Sequence, residues 1–397
     1  MKIRFVSPLA FRSVAALKQW RFQPLSRSQL TALLCALLLA LVILEELNIG
    51  VMFMQYMNHY SHVVTRNINV KRAANAPNIT IVSIVDRREA LEEYGLPLET
   101  VECYAALHGY EHRIVAMDQG DGTPCQQKDV MFRRHCVLHA LLSSLPPDQW
   151  LLSMDADVAV LNPSHLLEEF LPSDPAIHLV LYDRIMNCEV AAGAIFARNT
   201  QFTLRFLDEW AAFEGNLPPS FHGSDNGALH MLLLQRSSPR KTEEEAACQK
   251  LWNTSDSYAT LTVFIACTRH FMQGKAIEGI EIRGKTHPKR WLRDGWLTDN
   301  VWSESDFMVH GWQRRRRDRY VFARWHSPLA SSPCEAFKQE SKYSSLSAYC
   351  RQPGLATKAW AYKDSFIGSD EVVAKRIEQV ISEQHEQFKE IIGKLGL

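Results

Sequence analysis

Asp155 and Asp157 stand two residues apart at the end of an apolar-leaning run, Trp150-Leu-Leu-Ser-Met154. Carboxylates so spaced at a strand end can reach one hard cation, which prefers oxygen ligands. A cation held there bridges phosphate oxygens and neutralises the charge that grows on a departing nucleoside diphosphate. Paired aspartates are also common as solvated turn acids. This pair is followed by Val158-Ala159-Val160-Leu161, and acids enclosed by apolar residues on both sides are read here as metal ligands.

Other polar residues carry two readings each. Asp225, in Ser224-Asp225-Asn226, is either a helix N-cap or a chemical group. Lys128 and Arg133, on the helix before the motif strand, either reach donor phosphates or are surface charge. In Gln313-Arg314-Arg315-Arg316-Arg317, Arg314 or a neighbour either clamps a phosphate bidentately or belongs to a solvated basic turn. His310 alone reads as an ordinary histidine. His222 and His230 do not form a zinc-protease pair, and no dinucleotide fingerprint, phosphate-binding loop or serine nucleophile elbow is present. Basic and acidic residues balance at 44 each, so no global field points to nucleic acid.

The elements that must position these residues follow from patterning. Ile79–Val85 is a β-branched run and reads as a buried strand. A helix around Leu91–His108, a strand at His112–Met117, a helix over Lys128–Leu145 and a strand at Trp150–Met154 follow. Ile177–Tyr182 and Ala192–Ala197 read as further strands, and Phe202–Phe213 and Asn226–Leu234 as helices. The alternation predicts an α/β fold with a parallel-rich sheet covered on both faces. Ligands of such sheets bind beyond the carboxyl ends of the strands, where Asp155 falls. Val373, Ile377, Ile381, Phe388, Ile392 and Leu395 recur at near-helical spacing and predict a terminal amphipathic helix docked on the domain.

The N-terminus bears on topology. Lys2, Arg4, Arg12, Lys18, Arg21 and Arg27 precede an uncharged stretch from Ser28 to Leu44, closed by Glu45-Glu46. That stretch just reaches the roughly 17–25 residues needed to cross a bilayer. A cleaved signal peptide also has a short apolar core, but the long charged lead and the acidic exit favour a signal anchor with a cytosolic N-terminus. Nine cysteines include Cys35 in that stretch, leaving an even number for an exported domain and up to four disulfides. Asn78-Ile79-Thr80 and Asn253-Thr254-Ser255 are N-glycosylation sequons. Together these place the domain in the secretory lumen.

Taken in order, Leu151-Leu-Ser-Met-Asp-Ala-Asp157, Asp183-Arg184 with Ala192-Gly193-Ala194, Phe221-His-Gly-Ser-Asp-Asn-Gly-Ala228 and His310-Gly311-Trp312 resemble a nematode-enriched family, domain of unknown function 273. That family is similar to the GT-A galactosyl- and xylosyltransferases of glycosyltransferase family 34. The resemblance spans about Asn78 to Trp325. It implies a GT-A nucleotide-diphospho-sugar transferase fold, a UDP-sugar donor, a glycan or glycoprotein acceptor and retention of anomeric configuration. It also implies Mn²⁺ on Asp155, Asp157 and His310, with Gly311 allowing close approach of the diphosphate. Asp225, followed by Asn226, would bond the donor sugar or act as general base, while Asn187 and Gly193 would shape the floor of the sugar pocket. Where related families carry a lysine after the histidine, this chain has the arginine run. The implied organisation is a cytosolic tail (1–27), a signal anchor (28–47), a stem (48–76), a lumenal GT-A domain (77–365) and the terminal helix (366–397), in the Golgi or ER membrane. A nucleotide-sugar hydrolase and a catalytically silent lumenal binding protein are the competing readings.

Overall fold

The computed structural model describes residues 62–68, 70–119, 125–237, 243–315, 326–340 and 342–397. The basic tail, the apolar segment 28–47, most of the expected stem, and Arg316 and Arg317 lie outside the described residues. Among the described residues no helix is long and apolar enough to cross a membrane.

The chain begins with β1 (Val63–Thr65), then β2 (Ile79–Val85), α1 (Gly95–His108), β3 (Glu111–Ala116), α2 (Val130–Ser143), β4 (Trp150–Asp155) and β5 (Val158–Val160). β6 (Leu179–Asp183) and β7 (Val190–Arg198) precede four helices: α3 (Gln201–Ala212), α4 (Ser224–Ser237), α5 (Glu243–Asn253) and α6 (Tyr258–Met272). β8 (Ile280–Arg283), β9 (Leu292–Asp294) and β10 (Met308–His310) lead to α7 (Pro333–Lys338), α8 (Leu346–Cys350), α9 (Pro353–Ala359), β11 (Ala361–Lys363) and α10 (Asp370–Leu395).

The main sheet runs β3-β2-β4-β7-β6-β8. β2 is parallel to β3 and β4, β6 is parallel to β8, and β7 is antiparallel to both neighbours. The sheet is therefore mixed, because β6 and β7 are joined by the short turn 184–189, which permits only an antiparallel pair. Successive side chains alternate between two cores. Trp150, Leu152 and Met154 of β4, with Ala194 and Phe196 of β7, face a core shared with α1 and the buried Trp291, Trp302, Trp312 and Trp360. Leu151, Ile195 and Ala197 face the opposite core, with Phe132 and Leu138 of α2, Trp210 of α3 and much of α4 and α6.

A second sheet, β5-β10-β9, is the device that completes the site. β5 starts directly after Asp157, and its register sets Val158 opposite His310 while β9 sets Asp294 beside the same histidine. β1 pairs with β11, so part of the stretch expected as a stem is a strand of the domain. α10 buries Val373, Ile377 and Ile392. Disulfides join Cys103–Cys350, Cys125–Cys136 and Cys248–Cys267, and Cys188 and Cys334 are free thiols.

Candidate active site

β4 delivers Asp155 at its carboxyl end, and the turn into β5 presents Asp157. The peptide carbonyl of Asp157 accepts N–H groups from Gly311 (3.1 Å) and Trp312 (3.0 Å), which clamps the exit of β10 to the aspartate motif. Gly311 sits at φ +106°, a conformation that glycine alone adopts without strain. One ligating atom each from Asp155, Asp157 and His310 lies within 4.8 Å of the others. Donors about 2.0–2.6 Å from a shared ion span distances of this size. Two carboxylates and one imidazole thus fit a divalent cation such as Mn²⁺ with coordination positions left for a ligand.

Three carboxylates, Asp155, Asp157 and Asp294, set the electrostatics around the His310 imidazole. His310 Nδ1 donates to Asp294 Oδ1 at 2.7 Å, and Nε2 lies 3.3 Å from Asp157 Oδ2. Burial by itself would lower the His310 pKa, but Asp157 and Asp294 override it and lift the pKa to about 10. Burial pushes Asp155 up, with Arg134 opposing and Asp157 adding to the rise. Burial would also raise Asp294, yet Arg184, 2.9 Å away, and His310 hold it well below the usual carboxylate range. Asp294 therefore orients the imidazole as a carboxylate behind a metal-binding histidine does.

Behind Asp155 stands Arg134, which the sequence did not single out. Its Nη1 donates to Asp155 Oδ1, while Nε and Nη2 donate to Asp225 Oδ2 at 3.0 and 2.6 Å. His135 Nε2 donates to the same oxygen at 2.8 Å, and its ring stacks on Trp210. Burial pushes the His135 pKa down to about 4, so this histidine is a neutral donor. Asp225 is 1% exposed and its Oδ1 is buried without a hydrogen-bond partner. Its observed partners make it the anchor of Arg134; neither an N-cap bond nor a place on the wall of the main cleft is seen.

Gly193, on β7, faces Asp155. A Cβ built there would lie 2.4 Å from Asp155 Oδ2, so the missing side chain is what gives the carboxylate its room. Arg134 holds the other oxygen of that short side chain, so the carboxylate must shift against its partner, and Gly193→Ala is expected to cost about 1–3 kcal/mol of stability. By displacing a candidate ligand it should weaken binding of a divalent cation such as Mn²⁺ by roughly ten- to a hundredfold, read by calorimetric titration. Unchanged affinity would remove Gly193 from the site.

The cluster opens on a cleft of about 640 Å³, walled by Val85, Arg87, Tyr94, Met131, Arg134, Gln313 and Arg315, among others. The remaining sequence candidates fall differently. Arg133 turns back to the carbonyl of Gln127, and the Lys128 N–H caps onto Glu214; neither lines the cleft. Arg314 reaches outward to Glu92, while the cleft wall is formed by Gln313, which donates to Asp157 Oδ2 at 3.0 Å, and Arg315. Asn187 folds onto its own turn through Glu189, and Asn226 accepts the N–H of Ala192, tying α4 to β7. These two asparagines hold backbone in place and do not face the main cleft.

Residues 101–324 match the family described as "Protein of unknown function, DUF273". No curated protein matches in sequence. Among solved structures, the chain is similar to a glycosyltransferase involved in the glycosylation of the major capsid of PBCV-1, at 16% identity and a TM-score of 0.32, covering 59% of this chain and 93% of that one. It is also similar to the glycosyltransferase GlyE of Streptococcus pneumoniae TIGR4, at 12% identity and a TM-score of 0.27, covering 40% of this chain and 43% of that one. The apo form of GlyE gives 10% identity and 0.29, with 51% and 65% covered, so GlyE is matched over less than two thirds of its length. At these scores the structural likenesses carry no weight as to what the chain does.

Proposed function

We propose that this chain, which belongs to the DUF273 family, is a GT-A glycosyltransferase of the secretory lumen that transfers a hexosyl or pentosyl group from a UDP-sugar to an acceptor hydroxyl. The observation that carries the reading is the convergence of Asp155, Asp157 and His310, from three separate strand ends, at the mouth of a cleft beyond the carboxyl end of β4. A divalent cation bound by these three groups would supply charge neutralisation for a departing diphosphate.

The chain's own groups suit the rest of such a donor. Arg87 and Arg315 bring positive charge to the cleft wall. Tyr94, half-buried on the same wall, offers an aromatic face to a nucleobase. Arg134 holds one carboxylate oxygen of Asp155 and thereby the position of the ligand set. Retention of configuration is the stereochemistry we assign, from the family resemblance. Three disulfides favour an oxidising compartment, in keeping with the lumenal placement.

The test is binding of a panel of UDP- and GDP-sugars by the full-length protein, with Mn²⁺ and then with EDTA. One UDP-sugar should bind in the Mn²⁺-dependent arm. In Asp155→Ala/Asp157→Ala that binding should vanish and turnover should fall by about 10³-fold or more, several kcal/mol of transition-state stabilisation. A folded protein that binds no nucleotide would sink the reading in favour of a lumenal binding protein. Free sugar as the only product would make it a hydrolase.

A further inference from the structure

Large apolar side chains are almost all inside this domain, and the exposed aromatic ones among the described residues are Phe221, 36% exposed, and Tyr258, 78% exposed. They touch each other edge to face, with ring centroids 4.8 Å apart. Two exposed rings in contact form a small aromatic patch that an amphipathic group can cover.

The backbone beside the pair says which. α5 ends at Asn253, which is exposed, and α6 begins at Tyr258. Between them lies the rest of the sequon Asn253-Thr254-Ser255. Phe221 is stitched to the third residue of that sequon in both directions. Its N–H donates to the Ser255 carbonyl at 2.9 Å, and Ser255 Oγ donates to the Phe221 carbonyl at 2.6 Å. The Asn253 side-chain oxygen accepts from Gln249 at 2.7 Å, which leaves Nδ2, the atom that glycosylation modifies, outside that bond.

We propose that Asn253 carries an N-linked glycan whose first sugars lie over Phe221 and Tyr258. The proposal rests on the proposed lumenal placement of the domain. The modification joins Nδ2 to C1 of an N-acetylglucosamine, expels the polyisoprenyl diphosphate that carried the oligosaccharide, and releases one amide proton. The C–H face of the sugar then meets the aromatic faces, the amphipathic contact for which such rings are suited. Ser255 is only 3% exposed once folded, and the sequon lies inside the loop closed by Cys248–Cys267. Modification therefore precedes closure of that loop. The other sequon residue, Asn78, is exposed at the start of β2 and serves as an internal control.

The experiment expresses the full chain in a eukaryotic secretory host and releases glycans with a peptide-N-glycosidase in heavy-oxygen water, followed by peptide mass spectrometry. The Asn253 peptide is expected to carry the heavy Asp label, and Asn253→Gln should lose one glycan's gel shift. An unlabelled Asn253 with Asn78 labelled, or with Cys103, Cys248, Cys267 and Cys350 oxidised, overturns the proposal while export stands. Neither sequon labelled and those thiols free overturns both. A second readout tests the cover. Binding of a hydrophobic dye should rise when the whole glycan is removed, not when it is trimmed to one sugar, and Phe221→Ser/Tyr258→Ser should abolish the rise. No rise on complete removal shows that the glycan does not lie on the rings.

Discussion

Replacing Arg134 with Leu should cost about 3–5 kcal/mol of stability, because it leaves the buried carboxylate of Asp225 without its cation. Two guanidinium nitrogens of Arg134 donate to Asp225 Oδ2, and the carboxyl is 1% exposed. His135 also donates to that oxygen, but its pKa of about 4 means that it brings no charge near neutrality. Burial alone would raise the Asp225 pKa; Arg134 is the largest influence that instead holds it below its ordinary value. In the native protein this depressed pKa contributes stability above about pH 4 that is lost on acidification.

The variant should invert that dependence. Without Arg134, burial raises the Asp225 pKa above its unfolded value, so stability falls as pH rises through the window between the two. Urea denaturation of Arg134→Leu at several pH values from 5 to 8 should show a loss that grows with pH. Adding Asp225→Asn should recover a large part of it, since Asp225 is then neutral and only Asp155 has lost its cation. Equal midpoints for the native protein and Arg134→Leu would show that Asp225 is already neutral and that Arg134 is not its partner.

Arg134 also marks where the sequence could be read and where it could not. The helix expected over Lys128–Leu145 was legible from its apolar residues, and it spans Val130–Ser143. Arg133 and Arg134 are one residue apart, which on a helix is about 100° of rotation, and it is Arg134 that reaches Asp155. The sign was present: Arg134 stands three after Met131 and four before Leu138, on a face that is otherwise apolar. Ile79–Val85 and Trp150–Met154 were legible because central strands are continuous apolar runs. β5, β9 and β10 span three residues each, too few for any period to show, yet their pairing is what sets His310 and Asp294 beside Asp157. His310 entered only through the order of motifs, and Asp294 had no local signal at all. Asn187 and Asn226 accept backbone N–H groups, and a side chain that satisfies backbone looks, in sequence, like one that binds a ligand.

The affinity for Mn²⁺ should rise about tenfold per pH unit between pH 6 and 8, because His310 must give up a proton to become a ligand. With its pKa lifted to about 10, the imidazole is protonated throughout that range, Nδ1–H on Asp294 and Nε2–H facing Asp157. Metal binding takes the Nε2 lone pair, so one proton leaves with each ion bound. The same proton stabilises the metal-free fold in the opposite sense. A folded pKa of about 10 above an ordinary 6.5 contributes stability that is complete below about pH 6.5 and is lost as pH climbs towards 10. Metal-free protein should therefore melt lower as the pH is raised, while the Mn²⁺-loaded protein gains. His310→Gln should flatten both slopes. Asp294→Asn keeps the ligand but loses its orienting carboxylate, and should weaken Mn²⁺ by roughly ten- to a hundredfold. Calorimetric titrations in buffers of different ionisation enthalpy would count the proton directly. An affinity that stays flat from pH 6 to 8, with no proton released, would show that His310 is not a ligand and that the two aspartates bind the ion without it.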